Sequence, residues 1–240
     1  MKILTWTNIR LLLILGLAGF LYAFAQVRNG QRTLKKTEVV FVGENANFVR
    51  QETVNKLLIE NKTDLRSIRL EQLNLDKLES SVNQNPMIEK SEVYVSVDGV
   101  LRAEVIPRTP VARYFGESRS FYIDQTGKEM PLSDNHTARV PLVVGSLTKK
   151  MLPRLTQVLK QIHKDDFLKK NIVGVKVLDD ESLELTSRNF NYTIEFGKMI
   201  RIDRKFKNYK AFYQKAVLDS TINKYKRINL RFTKQVVCTR

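Results

Sequence analysis

Residues Leu11–Ala25 read LLLILGLAGFLYAFA, with no charged side chain and no proline. With Ile9 and Val27 they give about nineteen residues able to form a helix, about 28 Å long at about 1.5 Å per residue. That suffices to cross a hydrocarbon core of about 30 Å. Lipid offers no partner to a bare peptide group, so a lone segment inside it is helical. The stretch therefore predicts a transmembrane helix over 9–27, with Leu11, Leu12, Leu13, Phe20 and Tyr22 as anchoring residues. Trp6 and Tyr22 lie towards its ends, where amphipathic rings settle.

The same residues fit a second description. Lys2 and Arg10 supply a charged n-region, Leu11–Tyr22 an apolar h-region, and Ala23-Phe24-Ala25 an A-x-A cleavage site. A buried core helix is the third. Flanking charge does not settle the side. Lys2 and Arg10 precede the segment, and Arg28, Arg32, Lys35 and Lys36 follow it. This leans weakly towards a cytoplasmic C-terminus, but long domains translocate largely regardless of nearby charge.

Outward from this segment, charge is uneven along the 240 residues. The first 36 residues carry six basic and no acidic side chains, residues 37–110 are net −3, and residues 111–240 are net +13. A break near 110 points to two units with different partners. A basic surface suits nucleic acid, anionic lipid or an acidic protein, and interleaved Lys and Arg also make an ordinary solvated face. A single cysteine, Cys238, excludes an internal disulfide framework and a multi-cysteine metal site. The two histidines, His136 and His163, lie far apart and in no metal-binding spacing.

Residues 28–36 are polar and basic and read as a linker. Thr37–Val42 is a β-branched strand that ends at Gly43. Val54, Leu57 and Leu58 then mark one helix, with Asn47 as its expected cap. A polar connection spans about 61–69. Leu75, Leu78 and Val82 mark a second helix, which Asn85-Pro86 ends. Val93, Val95 and Val97 alternate, Asp98-Gly99 turns, and Leu101, Ala103 and Val105 alternate again. That is a hairpin, expected to carry positive φ at both turn residues. Residues 37–108 thus predict a β-α-α-β-β module whose helices cover one face of a three-stranded sheet.

Pro107 and Pro110 predict a hinge, because proline fixes φ and cannot donate to a ladder. Residues 109–240 predict a mixed, β-rich domain with two helices. Its strands are expected near 111–115, 121–124, 128–130, 140–144, 172–177, 183–186 and 192–196, and a strand or hairpin at 227–238. One helix carries Leu152, Leu155, Leu159 and Ile162. The other runs over about 204–220 with Asp203 as cap and Phe206, Tyr209, Phe212, Tyr213, Ala216 and Val217 on its apolar face. The fold class is α+β.

Nothing in the chain resembles a catalytic or nucleotide-binding motif. Asp165-Asp166 and Asp179-Asp180-Glu181 read as solvated turns rather than acid–base pairs, since no apolar shielding surrounds them. His163 reads as a dipole partner near a helix end, and Cys238 as a small packed side chain. The aromatic stripe of the last helix has helical, one-sided spacing and reads as core rather than a base-stacking platform. We expect no enzyme, no cofactor, no metal, no small-molecule substrate and no nucleic acid.

The order of these elements resembles the FtsQ/DivIB family of bacterial division proteins, with the small module similar to a POTRA domain. The resemblance rests on the strand ending at Gly43, Asn85-Pro86, Pro110-Val111-Ala112, Phe121-Tyr122-Ile123-Asp124 with Gly127, Pro141-Leu142 with Gly145, Phe196-Gly197, and Ile228-Asn229-Leu230-Arg231-Phe232. Two positions depart from the family pattern: Asp98-Gly99 stands where members often carry an aromatic-proline pair, and Pro107 where they often carry an acid. The resemblance implies a non-enzymatic, single-pass protein of the cell inner membrane, with residues 1–8 cytoplasmic and the C-terminal domains periplasmic. It implies divisome partners similar to FtsB and FtsL, added as an extended strand to the last strand of the β domain. On this chain that strand is about Asn229–Cys238, and Leu230, Arg231, Phe232 and Val236 are the implied partner-binding residues. Two other functions fit the residues: a POTRA-bearing secretion, assembly or chaperone-like module that grips extended peptides, and a cytoplasmic protein that uses its basic domain on nucleic acid.

Overall fold

The computed structural model describes residues 6–43, 45–59, 68–232 and 234–240. The chain divides into two compact units, Met1–Ile106 and Pro107–Arg240.

The first unit opens with α1, Trp6–Gly30. None of its residues is buried, and its large apolar side chains from Leu11 to Val27 are all more than half exposed. An apolar helix with no protein cover is stable only in another apolar medium, so the buried-core reading fails. The helix runs three residues past Val27, into the expected linker. The remainder of that linker is not free either. Leu34 is buried, its N–H bonds to the Ile68 carbonyl, and the Leu70 N–H bonds back to the Arg32 carbonyl. A lone leucine among polar residues has no periodicity to announce it, which is why the stretch reads as a stalk.

The module that follows has β1 (Lys36–Phe41), α2 (Gln51–Ile59), α3 (Leu75–Asn83), β2 (Ile88–Val95) and β3 (Val100–Pro107). The sheet order is β1-β3-β2, with β1 and β3 parallel from Lys36↔Val100 to Phe41↔Val105. Val54, Leu58, Leu78 and Val82 of the helices and Val39, Val93, Ala103 and Val105 of the strands form its core. Alternate residues of β1 and β3 face that core, as a two-residue period requires.

Three local expectations are corrected. Asn47 caps nothing: a 3₁₀ turn over Ala46–Phe48 buries Phe48, and α2 starts only at Gln51. The polar connection expected over 61–69 lies largely outside the described residues. At the hairpin, only Gly99 has positive φ, and Asp98 does not. The Gly99 N–H bonds to the Ser96 carbonyl and the Ser96 N–H to the Val100 carbonyl. This is a type I turn closed by a left-handed glycine, the usual three-residue hairpin loop, not the two-residue mirror-image turn.

The second unit holds one sheet in the order β12-β11-β10-β9-β8-β7-β4-β5-β6. Its strands are β4 (Pro110–Phe115), β5 (Ser120–Asp124), β6 (Glu129–Met130), β7 (Leu142–Gly145), β8 (Ile172–Val177), β9 (Leu183–Ser187), β10 (Thr193–Gly197), β11 (Arg227–Asn229) and β12 (Val237–Thr239). The helices are α4 (Leu152–Lys164), α5 (Asp166–Asn171) and α6 (Ile202–Leu218). The short α5 is one more than the two expected. Asp165 caps it, accepting from the Phe167 and Leu168 N–H groups at 3.1 Å, and pairs with Lys210 at 2.6 Å. Asp165 is thus a cap and an ion-pair partner rather than a solvated turn. Burial pushes its carboxyl up, but the Lys210 ammonium and these N–H groups outweigh that and hold it below the usual range. On α6, Asp203 is not the cap: that position belongs to Arg201, in the left-handed region at φ 51°. Phe206 and Tyr209 are buried in the core, whereas Val217 is 43% exposed. Both expected stretches of prolines bound strands, with β3 ending at Pro107 and β4 beginning at Pro110 in a different sheet.

Candidate partner-binding edge

Of the two readings of residues 227–238, a strand or a hairpin, the structure has the hairpin, so the single strand Asn229–Cys238 implied by the resemblance is two short strands. β11 lies parallel to β10, with Ile194↔Ile228, and antiparallel to β12, with Ile228↔Cys238. Both flanks of β11 are therefore occupied by the chain's own backbone. At this end of the sheet the open rim is β12, which among the described residues pairs on one side only, as β6 does at the other end. An unpaired flank of N–H and C=O groups is a template for another extended chain.

The four implied binding residues separate. Leu230 is 1% exposed, and its N–H bonds to the Glu195 carbonyl at 2.9 Å, so it belongs to the core. Val236 and Cys238 are partly buried and pack against that core. Arg231 and Phe232 sit in the turn between β11 and β12, and Phe232 is 54% exposed. Val237, on β12 itself, is 40% exposed and is an apolar edge residue that the sequence reading did not single out. The structure thus brings Arg231, Phe232 and Val237 to the open end of the sheet, and withdraws the Leu230 side chain.

Arg231 is held rather than waving. Its N–H bonds to Asn229 Oδ1 at 2.9 Å, and its guanidinium lies 4.0 Å from Glu195. Glu195 also accepts from Arg227 and Asn229, both at 2.8 Å. The stem of Arg231 crosses Gly197, where a Cβ would fall 2.7 Å from Arg231 Cγ. Gly197 has φ +69°, so glycine is required there both for backbone and for room. Behind it Lys205 is 2% exposed, with Nζ donating to the Phe196 carbonyl at 2.6 Å and the Lys198 carbonyl at 2.7 Å. Burial, and then the nearby Arg231 charge, lower its ammonium to about 8. The sequence reading did not single out Lys205, and the only signal for its burial is its position one residue before Phe206 on α6. Asp180, Ser182, Lys198, Ile200, Lys205 and Arg231 line a shallow pocket beside this turn.

Elsewhere the chemistry is structural. Asp180 accepts from the Ser182 hydroxyl and N–H, which hold its carboxyl below the usual range. Burial raises the Cys238 thiol, so it is no ready nucleophile. No group of three His, Cys, Asp or Glu that could hold a metal occurs among the described residues.

The model for "FtsQ/DivIB, C-terminal related" matches residues 109–239, more than half the chain, and a POTRA-like domain model matches residues 35–106. The chain belongs to the FtsQ/DivIB family. A cell division protein FtsQ from Salinibacter ruber is 26% identical over 159 residues, which cover 59% of this chain and 60% of that relative. The match therefore spans less than two thirds of the relative's length. The major extracytoplasmic domain of DivIB from Geobacillus stearothermophilus aligns at 13% identity with TM-score 0.33, over 48% of this chain and 97% of that one. A likeness of that size adds no weight to the assignment. The family is one of non-enzymatic cell-division proteins, and this member has an N-terminal POTRA-like module, a β-rich C-terminal domain and one apolar helix able to span a membrane.

Proposed function

We propose that this FtsQ/DivIB protein is a divisome scaffold anchored in the cell inner membrane by α1, with both units periplasmic, and that the free flank of β12 receives an extended segment of a partner similar to FtsB or FtsL. The observation that carries this is the one-sided pairing of β12, with Phe232 and Val237 exposed beside it. Main-chain bonds to the rim supply affinity, and alternate side chains of the incoming strand read the pockets. Arg231 offers a charge-assisted bond to a carboxylate on that strand. The net +13 of residues 111–240 favours an acidic partner and speeds encounter. Pro107 and Pro110 bound the junction between the two units, and flexing there belongs at Ile106-Pro107, because Arg108 is tied by its ion pair to Asp124 of the second unit.

Binding of the full chain in detergent to the co-expressed partner complex tests the site. Phe232→Ala and Arg231→Glu should each weaken it about tenfold, about 1.4 kcal/mol. Affinity unchanged by both removes β12 as the docking rim. Depletion in the cell should give filaments, and normal septation would reject the divisome role itself.

A further inference from the structure

The module's hairpin tip is tied to the chain just where it leaves α1. Arg32, two residues beyond the helix, donates from its guanidinium to the Val97 carbonyl at the tip of the β2–β3 hairpin. The Lys35 N–H bonds to the Gly99 carbonyl at 2.8 Å, and a Cβ on Gly99 would lie 3.1 Å from the Thr33 carbonyl. Thr33 also bridges to Arg69. So the segment 32–35 is clamped between the hairpin turn and residues 68–70, with Leu34 buried beneath. At the apex Val97 is 85% exposed.

The distances are short on the scale of a bilayer. Headgroups add about 5–7 Å to each side of the hydrocarbon core. If Val27 marks the end of that core, Gly30 lies about 4.5 Å beyond it at about 1.5 Å per residue. Arg32 and the Val97 it holds then fall within or next to the headgroup layer. The side chains around the apex are mostly cationic. Arg28, Lys35 and Arg69 are exposed without a described carboxylate partner, Arg32 is half-buried, and Lys36 is shared with Glu38 at 3.7 Å. Among the described residues the acids beside this segment are Asp98, next to Val97, Glu71, against Gly30, and Glu38, paired with Lys36 and Arg102.

We infer that the hairpin tip and the clamped segment form a membrane-surface foot: Val97 enters the interfacial region of the leaflet at the Gly30 end of α1, and Arg28, Arg32, Lys35 and Arg69 meet anionic phospholipid headgroups. The module is thereby held down on the bilayer instead of hanging from a loose stalk. Apolar insertion and attraction to anionic lipid act together at such surfaces. The inference rests on α1 spanning the bilayer.

The test uses the full chain in nanodiscs. Val97→Cys, with Cys238→Ser to remove the native thiol, carries a fluorophore, and Glu92→Cys, about 16 Å back along β2 at about 3.3 Å per residue, is the reference. In discs of phosphatidylcholine with phosphatidylglycerol, the probe at 97 should be at least threefold less accessible than the reference to a water-soluble quencher. It should be more accessible than the reference to a lipid-borne one. The shielding should be lost in pure phosphatidylcholine and with Lys35→Glu plus Arg69→Glu, which leave the Arg32 contact intact. Equal aqueous quenching at the two positions in a properly incorporated protein overturns the foot while leaving α1 as an anchor. Equal shielding in both lipid mixtures overturns the anionic recognition. A protein that stays out of the discs overturns the span and the foot together.

Discussion

At the scale of single residues, the firmest feature is the Arg108–Asp124 pair. Its N···O distance is 2.6 Å, and the Asp124 side chain is 1% exposed. The other carboxylate oxygen accepts from the Thr126 N–H, the Thr126 hydroxyl and the Lys128 N–H, all within 2.8 Å. Burial pushes this carboxyl up, but the bonds from Thr126, Arg108 and Lys128 outweigh it and leave it below the usual range. The folded value being depressed, its stabilisation is present above the unfolded value of about 3.9 and is lost as pH falls through the folded one. Asp124→Ala strands a buried guanidinium and should cost about 3–5 kcal/mol, read by equilibrium denaturation in detergent at pH 7. The loss should shrink towards pH 3. Lys205 gives the same sign in a higher window, because here too the folded value is depressed, this time by the penalty on a buried ammonium. Its folded value of about 8 lies below the unfolded value, so stability should climb as pH rises from about 8 towards about 10.4. Lys205→Met should flatten that rise in the same measurement.

At the scale of elements, caps and turns separate what a pattern shows from what it hides. The stripe Leu75, Leu78, Val82 locates α3, and Asn74 caps it by accepting from the Lys77 N–H at 2.9 Å. Asn74→Ala should therefore cost about 1 kcal/mol, whereas Asn47→Ala, at an exposed 3₁₀ position, should leave the melting temperature unchanged. The Asp98-Gly99 pair signals a hairpin whichever turn closes it, because the alternating runs on either side fix the strands. The loop length depends on how Ser96 and Val100 meet, which is a matter of strand twist and not of the dipeptide. The last strand shows the same limit. Ile228, Leu230 and the apolar run Val236-Val237-Cys238 announce β structure and leave strand and hairpin open, and only the pairing of Ile228 with Cys238 decides for the hairpin. Gly197→Ala should disturb that reversal by pushing on the Arg231 stem, and should weaken partner binding with Phe232→Ala as the yardstick.

At the scale of the whole molecule, the two units have separate cores and separate sheets. Denaturation should resolve two transitions, with Asn74→Ala moving one and Asp124→Ala the other; a single transition shifted by both would show that the units unfold as one. The Ala23-Phe24-Ala25 triplet lies inside α1, which continues helical for five more residues. We expect the mature protein to keep its N-terminal segment, which N-terminal sequencing of the membrane-bound protein would verify.

The sequence by itself determined the apolar span, the β-α-α-β-β order of the module and two of the three helices of the second unit, and the order of its motifs carried the resemblance to the family. The span and these elements are properties of composition or of period along the chain, and local chemistry suffices to produce them. Only the tertiary structure decided which strand is the free rim, that Leu230 is core while Val237 is edge, that Lys205 is buried, and that residues 32–35 are clamped under the hairpin. Those facts depend on pairings beyond the reach of a local period, from Lys205 with Phe196 and Ile228 with Cys238 to Glu195 with Arg227 and Arg32 with Val97. A period of two or of 3.6 carries no information about a partner so distant, because it tells which face is apolar and not what will cover it.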